Sequence, residues 1–141
     1  MEQIQALFQG DPFARHQGVE LTEVGPGRAK ARMPLRKEHY NAMGGVHGGA
    51  IFALADAVFA PASNSHGTLA VAINVSISYL RPVEGKVLYA EATELSRSRR
   101  LGSYTIRVTD EQDRLVAIFQ GMVYRRDDPL PAAGGGAPSQ G

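Results

Sequence analysis

The chain has no cysteine in 141 residues, which excludes a disulfide framework and a thiol nucleophile. Its four histidines are scattered and show no metal-ligand spacing, so no metal site is expected. An excess of either charge is also missing. Fifteen Lys and Arg face 14 Asp and Glu, and a net charge of +1 makes no electrostatic case for nucleic acid. The one long apolar run, residues 50–62, is too short to cross a bilayer. The first eight residues lack the basic start of a secretory leader. A cytoplasmic protein that binds neither membrane nor nucleic acid is expected. There are no internal repeats, and the length suits a single domain with a real core.

What is present concentrates in Asn41–Asn64. A polar, glycine-rich loop runs into a segment that is Ala, Ile, Phe, Leu, Val or Pro from Ala50 to Ala62, apart from Asp56. Its length and composition predict a buried helix, apolar on nearly all sides and wrapped by the rest of the fold. A carboxylate there is costly unless it is paired or has a task. A structural, ion-paired aspartate is the plainer reading of Asp56. Pro61 should kink or end the helix, because it cannot donate to Ala57.

No Ser, Thr or Asp stands at the cap position before Gly48-Gly49-Ala50. The first amides of a helix have no internal acceptor, and the positive end of the helix dipole suits a developing anion. The two glycines could serve close packing alone, which is compatible with that role. Gly48 and Asp56 are eight residues apart, ~12 Å along a helix axis. That is too far for both to act on one carbonyl within one chain. Two antiparallel copies of the helix, related by a two-fold axis, would bring one copy's acid to the other's amide. A homodimer with two interface sites is therefore expected.

Asn41, His47-Gly48-Gly49, Leu54-Ala55-Asp56 and Asn64 resemble the pattern of hotdog-fold acyl-CoA thioesterases, nearest to the PaaI group of phenylacetic acid degradation proteins. The resemblance spans about residues 11–126 and includes Tyr79-Leu80-Arg81-Pro82 and the final Gln120–Arg125 strand. It implies that Asp56 is nucleophile or general base and that the Gly48 amide is the oxyanion donor. His47 and Asn41 would position the thioester or the attacking water. Some relatives carry a serine that orients water on the next strand. Ala72 stands at that position here, with Asn74 as a candidate replacement. The resemblance further implies a homodimer that pairs into a dimer of dimers, with coenzyme A arriving as part of the substrate and no separate cofactor.

The remaining chain reads as strands with one minor helix. Residues 2–9 carry Ile4, Leu7 and Phe8 at helical spacing; Phe13–Val24 reads as a first strand, and Arg28–Met33 alternates as a second. Leu69–Tyr79 alternates, with odd-numbered apolar residues on one face and Ala70, Ala72, Asn74, Ser76 and Ser78 on the other. Strands follow at 86–96, 101–109 and 115–125, the last two joined by a turn at 110–114. Strands on both sides of one long helix predict an α+β fold, an antiparallel sheet wrapped around that helix, over residues 1–126. Residues 127–141, with three successive glycines, read as a disordered tail.

Arg97, Arg99 and Arg100 form the main basic cluster. It reads as a solvated strand end or as a clamp on the phosphates of coenzyme A, with Arg81 a weaker candidate. Phe59, one turn past Asp56, is a candidate for the acyl pocket, and Gly49 for substrate contact; Phe52 reads as core. His16, His39 and His66 read as surface residues. The favoured function is hydrolysis of an acyl-CoA, aryl-acyl by the resemblance. The alternatives are a hotdog hydratase in which His47 and Asp56 share acid–base work, and a non-catalytic acyl-CoA sensor.

Overall fold

The computed structural model describes residues 1–133. Two short helices, α1 (Glu2–Gln9) and α2 (Pro12–Gln17), precede a hairpin of β1 (Glu20–Gly25) and β2 (Arg28–Pro34). A 3-10 turn at Lys37–His39 leads to the long helix α3 (Gly48–Ser63). Four strands follow: β3 (Thr68–Tyr79), β4 (Val87–Arg97), β5 (Leu101–Thr109) and β6 (Leu115–Pro129). They form one antiparallel six-stranded sheet in the order β1-β2-β4-β5-β6-β3. This is the expected α+β hotdog fold, with α3 lying over β2, β4 and β5.

The core sits between α3 and the sheet. Leu54, Ala55, Val58 and Ala62 of α3 meet Met33, Leu88, Ile106 and Phe119 of the sheet, all without measurable exposure. A large apolar area is thus removed from water by one helix face. The helix is not wrapped all round, however. Gly49 and Asp56 are exposed, with Phe52 and Ala60 half-buried beside them. These positions fall on one stripe at helical spacing, which the rest of the chain leaves open.

Pro61 does not end α3, which continues to Ser63. Buried side chains take over at this end. Ser63 Oγ and Asn64 Nδ2 both donate to the Ala60 carbonyl, at 3.1 and 2.8 Å, and Ser65 Oγ donates to Ala62 at 2.7 Å. Asn64 also ties the helix to β3, its Oδ1 accepting from the Ala70 amide at 2.8 Å. These side chains add to the backbone amides of Asn64 and Ser65, which donate to the same two carbonyls.

The structure corrects several expectations. The segment Phe13–Val24 begins as helix rather than strand. Asp11 caps α2 by accepting from the Phe13 and Ala14 amides, Pro12 opens it, and Gly18 at φ 80° closes it. Strand β6 runs to Pro129, so the expected tail is ordered strand at 127–129, while residues 134–141 lie outside the described part. The alternation in β3 is broken by a bulge between Ala72 and Asn74. His39 is buried, its Nδ1 accepting from the Arg36 amide at 2.9 Å and its Nε2 donating to the Gln17 carbonyl at 2.8 Å. His66 pairs with Glu94 at 2.8 Å, while His16 is exposed as expected.

Candidate active site

The loop before α3 is built by its own polar groups. Asn41 Oδ1 accepts from the Met43 and Gly45 amides at 2.9 and 3.1 Å. Gly44, at φ 86°, supplies the left-handed turn that this requires. Asn41 Nδ2 has no acceptor among the described residues and remains free to donate. The loop is pinned at its far end by the His47 amide, which donates to the His39 carbonyl at 2.7 Å. Buried His39 in turn fastens to α2 through Gln17. No local pattern announces this anchor, because Gln17 and His39 are 22 residues apart.

His47 is the missing cap. Its Nδ1 accepts from the Gly49 amide at 2.8 Å. The Gly49 amide is therefore committed to His47 and is not an open donor. The His47 ring must also carry its proton on Nε2, which leaves a donor and no free acceptor. The Gly48 amide has no acceptor among the described residues. It is the open donor at the positive end of a 16-residue helix.

Asp56 lies two turns further along. Phe52 and Phe59, one turn before and after it, lean on Phe119 of β6 with ring centroids 5.2 and 5.5 Å apart. That side of α3 packs on β6, the neighbour of the edge strand β3. Desolvation by its apolar surroundings, followed by the Asp11 carboxylate of α2, raises the pKa of Asp56 above the usual carboxylate value. Asp11 escapes sequence reasoning, which has no means of placing a cap residue of one helix beside the middle of another.

Phe59 does not line a pocket. It is buried between Tyr104 and Phe119, and its ring fills the space that a side chain at Gly121 would need. Asn74 is not beside Asp56 either. The bulge pairs it with Met122, whose neighbours Gly121 and Val123 face α3, so Asn74 and Met122 lie on the opposite face. Ala72, opposite Val123, holds the α3 face and has no polar group to offer.

The basic cluster divides. Arg100 is engaged with Asp127 at 3.0 Å and with the Arg125 carbonyl at 3.1 Å. Arg97 and Arg99 are exposed. The turn sits beside the start of β3, since Leu101 and Val71 both pair with Tyr124. The finish of β3 is near Gly48, where the Tyr79 hydroxyl donates to the Gly48 carbonyl at 2.9 Å. Eight residues of strand, ~26 Å, separate the two ends. A clamp on a substrate held at Gly48 therefore cannot come from the same chain. Arg81 is nearer, on the rim of a cleft of about 570 Å³ lined by Gly48, Ile51, Tyr79, Leu80, Pro82 and Val83.

The family profile of the thioesterase superfamily matches residues 43–117, the span that holds His47, Gly48 and Asp56. The chain belongs to the thioesterase superfamily. It is 34% identical to the acyl-coenzyme A thioesterase PaaI of Escherichia coli K12, over 85% of this chain and 86% of that one. It is 40% identical to a putative esterase of Archaeoglobus fulgidus, over 89% and 82%. The solved structure of the E. coli PaaI protein from the phenylacetic acid degradation operon superposes with a TM-score of 0.87 at 30% identity, covering 92% of this chain and 95% of that one. A mutant of the phenylacetic acid degradation protein PaaI from Thermus thermophilus superposes with a TM-score of 0.78 at 38% identity, covering 82% and 100%. In this thioesterase, no helix among the described residues is long and apolar enough to cross a membrane.

Proposed function

We propose that this thioesterase hydrolyses an acyl-CoA, of aryl-acyl type such as phenylacetyl- or hydroxyphenylacetyl-CoA, at two sites in a homodimer interface. The observation that carries the reading is the pairing of an open Gly48 amide with an acid, Asp56, two turns along the same helix. The carbonyl oxygen of the thioester accepts from the Gly48 amide of one subunit. Asp56 of the other attacks the carbonyl carbon or takes a proton from the attacking water. The tetrahedral intermediate then expels the thiolate as the C–S bond breaks. With Asp56 as base, the proton it took from water passes to sulfur; with Asp56 as nucleophile, water hydrolyses the aspartyl–acyl anhydride, frees the acid and supplies that proton. Asn41 Nδ2 and His47 Nε2–H are the free donors beside this carbonyl. The aryl preference is supported by the names of the PaaI relatives.

The dimer is supported by the β3 edge. Val71, Ile73, Val75 and Tyr79 are 47, 55, 37 and 51% exposed on an edge strand with no charged residue from Thr68 to Tyr79. Such an edge invites pairing unless it is charged or covered. Antiparallel pairing of two β3 strands carries each basic turn to the end of the interface where its partner holds Gly48. The arginines would then flank the other subunit's substrate. A dimer of dimers is supported by the uncharged hollow of about 260 Å³ on the far sheet face, lined by Asn74, Ser76, Ser103 and Met122.

The hydratase reading loses ground because His47 Nδ1 is occupied as a cap, so this histidine has no lone pair with which to take a proton. The test is thiol release from a panel of aromatic and straight-chain acyl-CoAs. Turnover fastest with the aromatic members is expected. Tight binding with no thiol release would favour the sensor.

A further inference from the structure

The peptide unit joining Gly48 to Gly49 is held at both ends by side chains. Its N–H donates to His47 Nδ1 at 2.8 Å, and its carbonyl accepts from the Tyr79 hydroxyl at 2.9 Å. Tyr79 comes from the last position of β3, 31 residues away. Its own backbone is set by pairing opposite Ala117 in β6, with the Leu80 amide donating to the Val116 carbonyl at 2.8 Å. The tyrosine ring also packs against Gly48, so that a Cβ there would come within 3.1 Å of Cζ.

Two consecutive glycines at a helix start have more backbone freedom than any other pair. Rotation about Gly48 would swing its amide away from the oxyanion position, and such donors act only when preorganised. His47 is adjacent in sequence and moves with the loop. Tyr79 is the tether that refers the glycine pair to the rigid sheet.

We propose that Tyr79 is a positioning residue for the oxyanion donor, fixing the Gly48–Gly49 peptide so that the Gly48 amide keeps its aim. The inference rests on the reading of Gly48 as that donor. Its contribution falls in the transition state, where charge reaches the carbonyl oxygen, rather than in ground-state binding.

The experiment is steady-state kinetics of Tyr79→Phe, using the acyl-CoA that the parent hydrolyses best. Phenylalanine keeps the ring and removes only the hydroxyl. We expect kcat to fall ~10-fold with KM changed less than about twofold. Tyr79→Met, which fills the space without a donor, should lose kcat similarly. Combining Tyr79→Phe with His47→Ala should cost less than the product of the single losses, because both act on one peptide. Parental kcat in both Tyr79 variants would overturn the proposal, as would a loss confined to KM or to melting temperature. Asp56→Ala, run alongside, keeps two failures apart. Hydrolysis that survives in Asp56→Ala removes the active-site reading itself. Its loss there, with Tyr79→Phe at the parental rate, removes only the tether.

Discussion

Asp56 was visible in the sequence because it is the only charge in an apolar run, and Gly48 because no Ser, Thr or Asp stands at the cap position before it. Their neighbours Tyr79, Asp11 and His39 were not visible, since each acts across a fold contact that local pattern does not encode. The raised pKa of Asp56 has a definite sign. The folded state disfavours the carboxylate, so a stability cost appears as pH rises from the unfolded value through the raised folded value. Asp56→Asn should therefore raise the melting temperature near neutral pH, and the gain should vanish below the usual carboxylate range. The same variant should lose at least ~10²-fold in kcat. The acid limb of the parent's pH–rate profile should lie above the range of an unperturbed aspartate. A limb within the ordinary range would mean that Asp56 is fully solvated during turnover. Gly48→Pro deletes the open amide at a helix position that tolerates proline, although Tyr79 must yield slightly to the new Cβ. Its expected cost in kcat is ~10²–10³-fold with the helix retained by circular dichroism.

Elements were legible wherever periodicity ran unbroken. Helix α3, the β1–β2 hairpin and the last three strands follow directly from apolar spacing. The failures have local causes. In residues 13–24 the apolar positions of a short helix and of β1 merge into one apparent strand. In β3 the extra residue at the bulge reverses the faces, which moved Asn74 away from Asp56. The end of α3 past Pro61 depends on buried polar caps. Asn64→Ala leaves the Ala70 amide without its side-chain acceptor in a closed site, while the Ala60 carbonyl keeps the residue-64 amide and Ser63 Oγ. A loss of about 1–3 kcal/mol is expected, readable by urea denaturation. A loss within experimental error would show that water replaces the side chain.

At the scale of the molecule, the proposed function makes each chain the bearer of two half-sites. The oxyanion donor and the acid would then serve different sites, and the apolar β3 edge is where a second copy would complete both. The eight-residue spacing alone leads to that proposal, and the sheet order adds β3 as the candidate seam. Ile73→Lys places a charge on that edge where the side chain is already exposed, so the subunit should fold. It should elute as a monomer in size-exclusion chromatography and hydrolyse no acyl-CoA. An active monomer would place both groups within one chain.

The most direct test mixes two inactive proteins. Asp56→Ala and Gly48→Pro subunits, unfolded together and refolded at equal ratio, form mixed dimers in which one of the two sites is intact. If the acid and the amide come from different subunits, thiol release should recover to about a quarter of the parental rate. If the refolded mixture forms dimers yet stays as inactive as its components, the two groups serve the same chain and the shared site is wrong.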